Sequence, residues 1–266
     1  MSRAALRRTL VQAIRAGGAH VRRGLGRARV RYKEGRANVV TQVDLAAEKA
    51  ILGVICRRFP DHDFLSEERG TRRSGSAIQW VIDPLDGTLN FAHGLPVSSV
   101  SIAAVQDGRP VVGGVYDPFR DELFLAEQGR GATLNGKPIS VSRVPKLYGS
   151  LLVTGFPYDR DKQAALYAGV VRDFLTRAQD LRRSGSAALD LAWTAAGRYD
   201  GFWEFHLHPW DVAAGLLLVE EAGGRVTDFR GKPWGTRVED WGRQTLASNG
   251  RVHPGMLSVL RRVAGC

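Results

Sequence analysis

The stretch WVIDPLDGTLNFAHGLP, residues 80 to 96, runs from apolar residues into two aspartates, Asp83 and Asp86, with Gly87 and Thr88 directly behind them. Two ionised carboxylates a few Å apart repel, so such a pair either shares a proton or holds a cation. Gly87 permits a tight backbone approach, and Thr88 can open a helix whose free N–H groups attract an anion. A cation and a phosphate would then be neighbours. The same hexapeptide also reads as an ordinary turn, because Asp and Gly are common turn residues.

Further acids weigh on that choice. Glu67 and Glu68 follow the apolar pair Phe64-Leu65, and Asp211 falls in the first turn of an apolar helical run. There Asp211 could equally serve the helix dipole. The ligands on offer are hard oxygens without a Cys or His cluster, which selects Mg²⁺ or Mn²⁺ over Zn²⁺. The spacing fits neither the alternate acids of an EF-hand loop nor a DxDxT phosphotransferase loop. His93 and His208 flank the motifs and read as structural.

The elements that must position these residues follow from periodicity. Residues 6 to 25 carry Leu6, Leu10, Ile14, Val21 and Leu25 on one helical face. Thr41 with Asp44 three residues on fits a capping box opening a helix to about Phe59. Residues 79 to 82 read as a buried strand ending at Asp83, with Pro84 fixing the turn that follows. Residues 97 to 105 and 111 to 116, around Asp107-Gly108, read as a hairpin, and 122 to 126 as another strand. Gly-rich loops at 129 to 136, then Pro138 and Pro145, suggest a boundary near 145. Beyond it, strands at 151–153, 201–205, 226–228 and 245–247 alternate with helices at 162–178, 184–196, 210–222 and 252–262. The expected fold class is α/β, with an α+β N-terminal half (1–145) and an α/β C-terminal half (146–266).

At 266 residues and 44% hydrophobic composition the chain can bury a large core. No apolar run is long enough to span a membrane. The beginning lacks the features of a secretory signal, and Cys56 and Cys266 make no disulfide framework, so a cytoplasmic protein is expected. The net charge of +11 is concentrated: residues 1 to 36 carry eleven Lys or Arg against Glu34 alone, and the remaining 230 residues sum to about +1. This basic segment reads as the solvated face of a core-packed helix, as a surface for RNA or an acidic protein partner, or as an Arg-rich transit peptide.

Asp83-Pro84-Leu85-Asp86-Gly87-Thr88 with Asn90-Phe91 closely resembles the signature of the inositol monophosphatase family, Mg²⁺-dependent, lithium-sensitive phosphatases. Trp210-Asp211-Val212-Ala213-Ala214-Gly215, continued by Glu221-Ala222-Gly223-Gly224, resembles the family's second signature. Gly185-Ser186-Ala187-Ala188, Trp203-Glu204, and Thr41, Asp44 and Glu48 match further elements in order, so the resemblance covers essentially the whole chain. It implies a layered αβαβα sandwich of the inositol monophosphatase and fructose-1,6-bisphosphatase type, commonly homodimeric. It implies that Glu67, Asp83 and the Leu85 carbonyl bind one Mg²⁺, and that Asp83, Asp86 and Asp211 bind a second, with Mn²⁺ a substitute. By the same resemblance Asp44 and Thr88, with Glu67, serve catalysis by orienting the attacking water. Gly87 and Thr88 hold phosphate, and Asp211, Gly185, Ser186, Ala187, Glu204 and Arg182 line the substrate side.

Two residues depart from the family pattern. Asn38 stands where many relatives carry aspartate, and Ser66 where many carry glycine; Asn38 would weaken a third metal position near Glu67. The expected activity is hydrolysis of inositol monophosphate or a similar small polyol or sugar monophosphate by two-metal activation of water. Histidinol phosphate, nucleotide 3′-phosphate and fructose 1,6-bisphosphate are the competing substrates, and Glu204 is expected to repel a second phosphate. A binding protein using the basic first helix on RNA or an acidic partner is the alternative from another class.

Overall fold

A computed structural model describes residues 2–34 and 38–263. Arg36 and Cys266 lie outside the described residues. In chain order the elements are α1 (Arg3–Gly24), β1 (Val30–Glu34), β2 (Asn38–Thr41), α2 (Gln42–Arg58), β3 (Asp63–Ser66), β4 (Gly70–Arg72), β5 (Ile78–Asp86) and α3 (Thr88–Ala92). Then come β6 (Ser99–Gln106), β7 (Arg109–Asp117), β8 (Glu122–Glu127), β9 (Ala132–Leu134) and β10 (Lys137–Pro138). The remainder comprises β11 (Leu151–Thr154), α4 (Ala164–Leu175), β12 (Asp180–Arg182), α5 (Ala187–Ala195), β13 (Gly201–Phe205), α6 (Pro209–Glu221), β14 (Arg225–Thr227), β15 (Gln244–Ser248) and α7 (His253–Leu260).

These elements stack in five layers. The helices α1 and α2 pack on one face of an eight-stranded sheet ordered β10-β9-β8-β7-β6-β5-β3-β4. Its other face takes α5 and α6, which in turn back onto a five-stranded sheet ordered β12-β11-β13-β15-β14. Outside that sheet lie α4 and α7. The fold is thus an α/β sandwich. Three buried clusters fill it: Leu6, Leu10, Ile14, Ile51 and Trp80 under α1 and α2; Val81, Phe124, Leu189, Val212 and Leu217 between the sheets; Phe174, Trp203, Phe229 and Met256 under α4 and α7. The apolar face read in α1 is the buried one, and its arginines face solvent.

Local chemistry explains the elements around the site. Thr41 Oγ1 accepts from the Val43 N–H, while Asp44 Oδ2 accepts from the Thr41 N–H at 2.8 Å, so the capping box starts α2 where expected. Asp107 and Gly108 both take positive φ, 51° and 67°, as a type I′ hairpin between β6 and β7 demands.

The turn expected at Pro84 is not a turn. Strand β5 continues to Asp86, with Asp83 opposite Ser101 and Asp86 opposite Ser99 on β6, so one extra residue is accommodated in a bulge. Pro84, lacking an N–H, is tolerated in such an irregularity. Side chains alternate along a strand, so residues three apart normally face opposite ways. The extra residue cancels that alternation and brings both aspartates to one side. Other differences are smaller: the β1–β2 hairpin, β4, β9, β10 and β12 were too short or too polar to read, α4 is confined to Ala164–Leu175, and α5 begins at Ala187 behind a loop at 184–186.

Candidate active site

The bulge delivers Asp83 and Asp86 to the floor of a cavity of about 310 Å³, where Asp211 meets them from the first turn of α6. One carboxylate oxygen from each lies within 4.8 Å of the others. Glu67 lines the same cavity; its N–H donates to the Ile82 carbonyl at 3.2 Å, which registers it beside Asp83. Behind it, buried Glu48 accepts from the Glu68 and Arg69 N–H groups at 3.1 and 3.0 Å and from the Ser66 hydroxyl, fixing the turn that carries Glu67. Ser66 therefore serves this anchor.

Crowded, desolvated carboxylates hold protons or cations. Burial, then the charges of Glu67, Asp86 and Asp211, push the Asp83 carboxyl well above the usual carboxylate range. Burial and the Asp86 charge do the same to Asp211. Glu67 is pushed up to about 7 by burial, against the opposing pull of Lys33. Asp86 is raised by burial too, although Ser186 Oγ, at 2.5 Å, and the Ala188 N–H, at 2.8 Å, donate to its Oδ2. A hard divalent cation fits this all-oxygen set and would replace the protons.

Beside the acids, Gly87 adopts φ 86° and opens α3. A Cβ there would sit 2.9 Å from the Val97 carbonyl oxygen and 3.0 Å from that of Gly185, so only glycine fits. The Thr88 hydroxyl lies 3.0 Å from Asp44 Oδ1 and 2.9 Å from the Leu85 carbonyl. Asp44 is fully buried, and Thr41 Oγ1 donates to its other oxygen at 2.6 Å.

The opposite wall carries Glu204 from β13, with Phe156, Tyr158 and Arg160 from the loop after β11, and Arg183. A Cβ at Gly155 would fall on the Glu204 carboxylate, so that glycine makes its seat. Burial, then nearby Asp190, push the Glu204 carboxyl well above its ordinary value, with Arg183 opposing. Its protonated form is thereby favoured. The Tyr158 phenol, on the same cavity wall, is pushed up by burial and by the charges of Asp211, Glu67, Asp83 and Asp86.

Of the residues singled out in the sequence, Glu67, Asp83, Leu85, Asp86, Gly87, Thr88, Gly185, Ala187, Glu204 and Asp211 all line this one cavity. Asp44 and Ser186 stand behind its wall, bonded to Thr88 and Asp86. Arg182 does not reach it. In β12, Asp180 and Arg182 share the face opposite Leu181, and the Arg182 guanidinium bonds Asp180 at 2.5 Å outside the cavity. The arginine on the cavity wall is its neighbour, Arg183. Sequence reasoning also passed over Lys33, whose ammonium reaches from β1 to Glu67 at 3.0 Å and to Glu68. His208 lines the cavity but stacks on Trp210, with ring centroids 4.7 Å apart.

An all-acid floor, a glycine-opened helix and a layered α/β sandwich define a phosphatase-type site, and the comparisons agree. The model of the inositol monophosphatase family matches residues 3–264, and the chain belongs to that family. It is 47% identical over 230 residues to the Nus factor SuhB of Escherichia coli (strain K12), covering 86% of this chain and 85% of that one. It is 45% identical over 251 residues to the inositol-1-monophosphatase of Synechocystis sp., covering 94% of this chain and 86% of the relative. Among solved structures, the extragenic suppressor protein suhB from Bartonella henselae superposes with a TM-score of 0.90 at 38% identity, covering 97% of this chain and 99% of that one. The structure of SaIMPase-II with inositol monophosphate bound gives a TM-score of 0.80 at 27% identity, covering 97% and 94%.

Proposed function

We propose that this protein is a Mg²⁺-dependent phosphomonoesterase of inositol monophosphate or a similar small polyol or sugar monophosphate. The observation that carries the reading is the meeting of Asp83, Asp86 and Asp211 within 4.8 Å beside Glu67, in a cavity whose other wall holds Glu204. Glu67, Asp83 and the Leu85 carbonyl would hold one cation, and Asp83, Asp86 and Asp211 a second. Bound there, divalent cations supply a water nucleophile at neutral pH and neutralise charge on the leaving oxygen.

The chain's own residues do the rest. Asp44, locked by Thr41, accepts the Thr88 proton, which leaves a Thr88 lone pair to accept from a water at the acids and aim it. The Gly87 and Thr88 N–H groups hold phosphate oxygens, and Glu204, with Gly185 and Ala187, shapes the space for the polyol hydroxyls. Residues 1–145 would form the half that supplies most metal ligands, and 146–266 the half that supplies Asp211 and the polyol contacts. The enzyme would act in the cytoplasm, as a homodimer, and Li⁺ would inhibit it by taking the cation position of Asp83, Asp86 and Asp211. A phosphate-release screen with Mg²⁺ over inositol 1-phosphate, histidinol phosphate, a nucleotide 3′-phosphate and fructose 1,6-bisphosphate tests the reading. No release from any of them would overturn it.

One observation favours a second role. Arg7, Arg8, Arg22 and Arg23 stand exposed on α1, with no ion pair among the described residues. Together with relatives named Nus factor SuhB, this supports an RNA or acidic protein partner for α1. Binding of RNA that weakens steeply with salt, and is lost on replacing these arginines, would support it.

A further inference from the structure

We propose that the cavity contains a second anion subsite, formed by Arg160 and Arg183 with the Tyr158 phenol, so that the site takes phosphate monoesters whose leaving alcohol bears a further anionic group. This rests on the phosphatase reading and narrows its substrate class. Several arginines of the surface meet acids: Arg198 on Glu122, Arg182 on Asp180, Arg120 on Asp117, Arg15 on Asp121. Arg160 and Arg183 both line the cavity, and among the described residues neither makes an ion pair or a side-chain hydrogen bond. The Tyr158 hydroxyl likewise has no hydrogen-bond partner there.

The seat of Arg183 is built. Its guanidinium lies 6.0 Å from the centre of the Phe156 ring on one side. On the other it lies against Gly185, where any Cβ would collide with its Nη1. Gly185 also takes φ 91°, so glycine is required there twice over. A guanidinium with its N–H fork unspent is the group suited to a carboxylate or phosphate. The charge at this end of the cavity is therefore not the negative one that Glu204 alone suggested. Burial pushes the Glu204 carboxyl up, while the two arginines and a phenol donor share its wall.

The competing explanation is that these arginines only offset the buried acids Asp190 and Glu204. The two differ in what they predict for matched substrates. The pairs are 2-phosphoglycerate against glycerol 2-phosphate, and fructose 1,6-bisphosphate against fructose 1-phosphate; each pair differs by one anionic group, a carboxylate or a phosphate. With Mg²⁺ present, kcat/KM for the charged member of at least one pair should exceed that of its partner by about tenfold or more, the scale of a charge-assisted hydrogen bond. The pair that responds identifies which anion the subsite takes. Arg160→Gln and Arg183→Gln should each collapse that ratio, and Arg183→Lys, which keeps the charge but not the fork, should restore only part of it. Equal kcat/KM within both pairs, or variants that lower both members alike, would overturn the subsite. Calorimetric binding of the same pairs with Ca²⁺ replacing Mg²⁺ separates the claims. Absent phosphate release sinks the phosphatase reading, whereas equal affinities within both pairs sink the subsite.

Discussion

The hydroxyl of Thr88 lies 3.0 Å from Asp44 Oδ1 and 2.9 Å from the Leu85 carbonyl, with one proton for two acceptors. A cation held by the Leu85 carbonyl would leave Asp44 as the acceptor, and the Thr88 lone pair would then face the acids. Thr88→Ser keeps the hydroxyl and should keep turnover within about tenfold. Thr88→Val removes it, and turnover should fall by about 10²–10⁴, the range typical of a positioned proton-transfer partner. Substrate KM should change little. Equal turnover in the Ser and Val variants would remove Thr88 from the chemistry.

Lys33 would compete with a cation for Glu67. Its ammonium, partly exposed, sits 3.0 Å from Glu67 Oε1. A pair of this exposure is worth about 0.5–1 kcal/mol. Lys33→Gln should therefore lower the half-saturating Mg²⁺ concentration by about two- to fivefold, measured by metal titration of phosphate release. A rise in that concentration would show that Lys33 assists the metal site.

The crowded acids set the pH dependence of the metal-free protein. Glu67, pushed up to about 7 by burial, keeps its proton in the folded state where the unfolded chain has lost it. The folded state then binds more protons, so stability is lost as pH rises from about 4.5, the ordinary glutamate value, through 7. Asp83 and Asp211 push in the same direction. Without metal, Tm should fall across this window, and saturating Mg²⁺ should remove most of the fall. A metal-free Tm that rises over the same window would contradict the description of the floor.

Glu204 favours its protonated form in its glycine-lined seat, so an amide should replace it well. Glu204→Gln should raise KM for inositol 1-phosphate by no more than about threefold. Glu204→Leu forfeits the hydrogen bonds and should raise it by about tenfold or more. The inverse order would show that the ionised carboxylate is what the substrate meets.

Much of this site was legible because its residues cluster in short motifs. Asp83, Asp86, Gly87 and Thr88 are contiguous, and Asp211 opens a helix whose apolar pattern is clear. The α/β class followed from the alternation of elements, and the layered sandwich from the family resemblance. What escaped was geometry that a strand pattern conceals. The bulge at Pro84 reads as a turn until its register against Ser99 and Ser101 is known. Lys33 lies on a short polar hairpin with no apolar alternation to reveal it. Arg182 was chosen over Arg183 by one position, although Asp180-Leu181-Arg182 alternates and places Arg182 with Asp180, away from the buried side. Phe156, Tyr158 and Arg160 belong to a loop, where sequence period says nothing about direction.

The central claim is that Asp83 serves both cations, and the most direct measurement is the turnover of Asp83→Asn at saturating Mg²⁺ with inositol 1-phosphate. The exchange keeps size and removes one of several mutually repelling charges, so the metal-free variant should fold and melt no lower than the wild type at pH 7.5. Its turnover should fall by at least about 10³, because both cations lose a ligand and the water and the leaving oxygen lose their partners together. Turnover within tenfold of the wild type, from a protein with an unchanged Mg²⁺ requirement, would contradict the two-cation account.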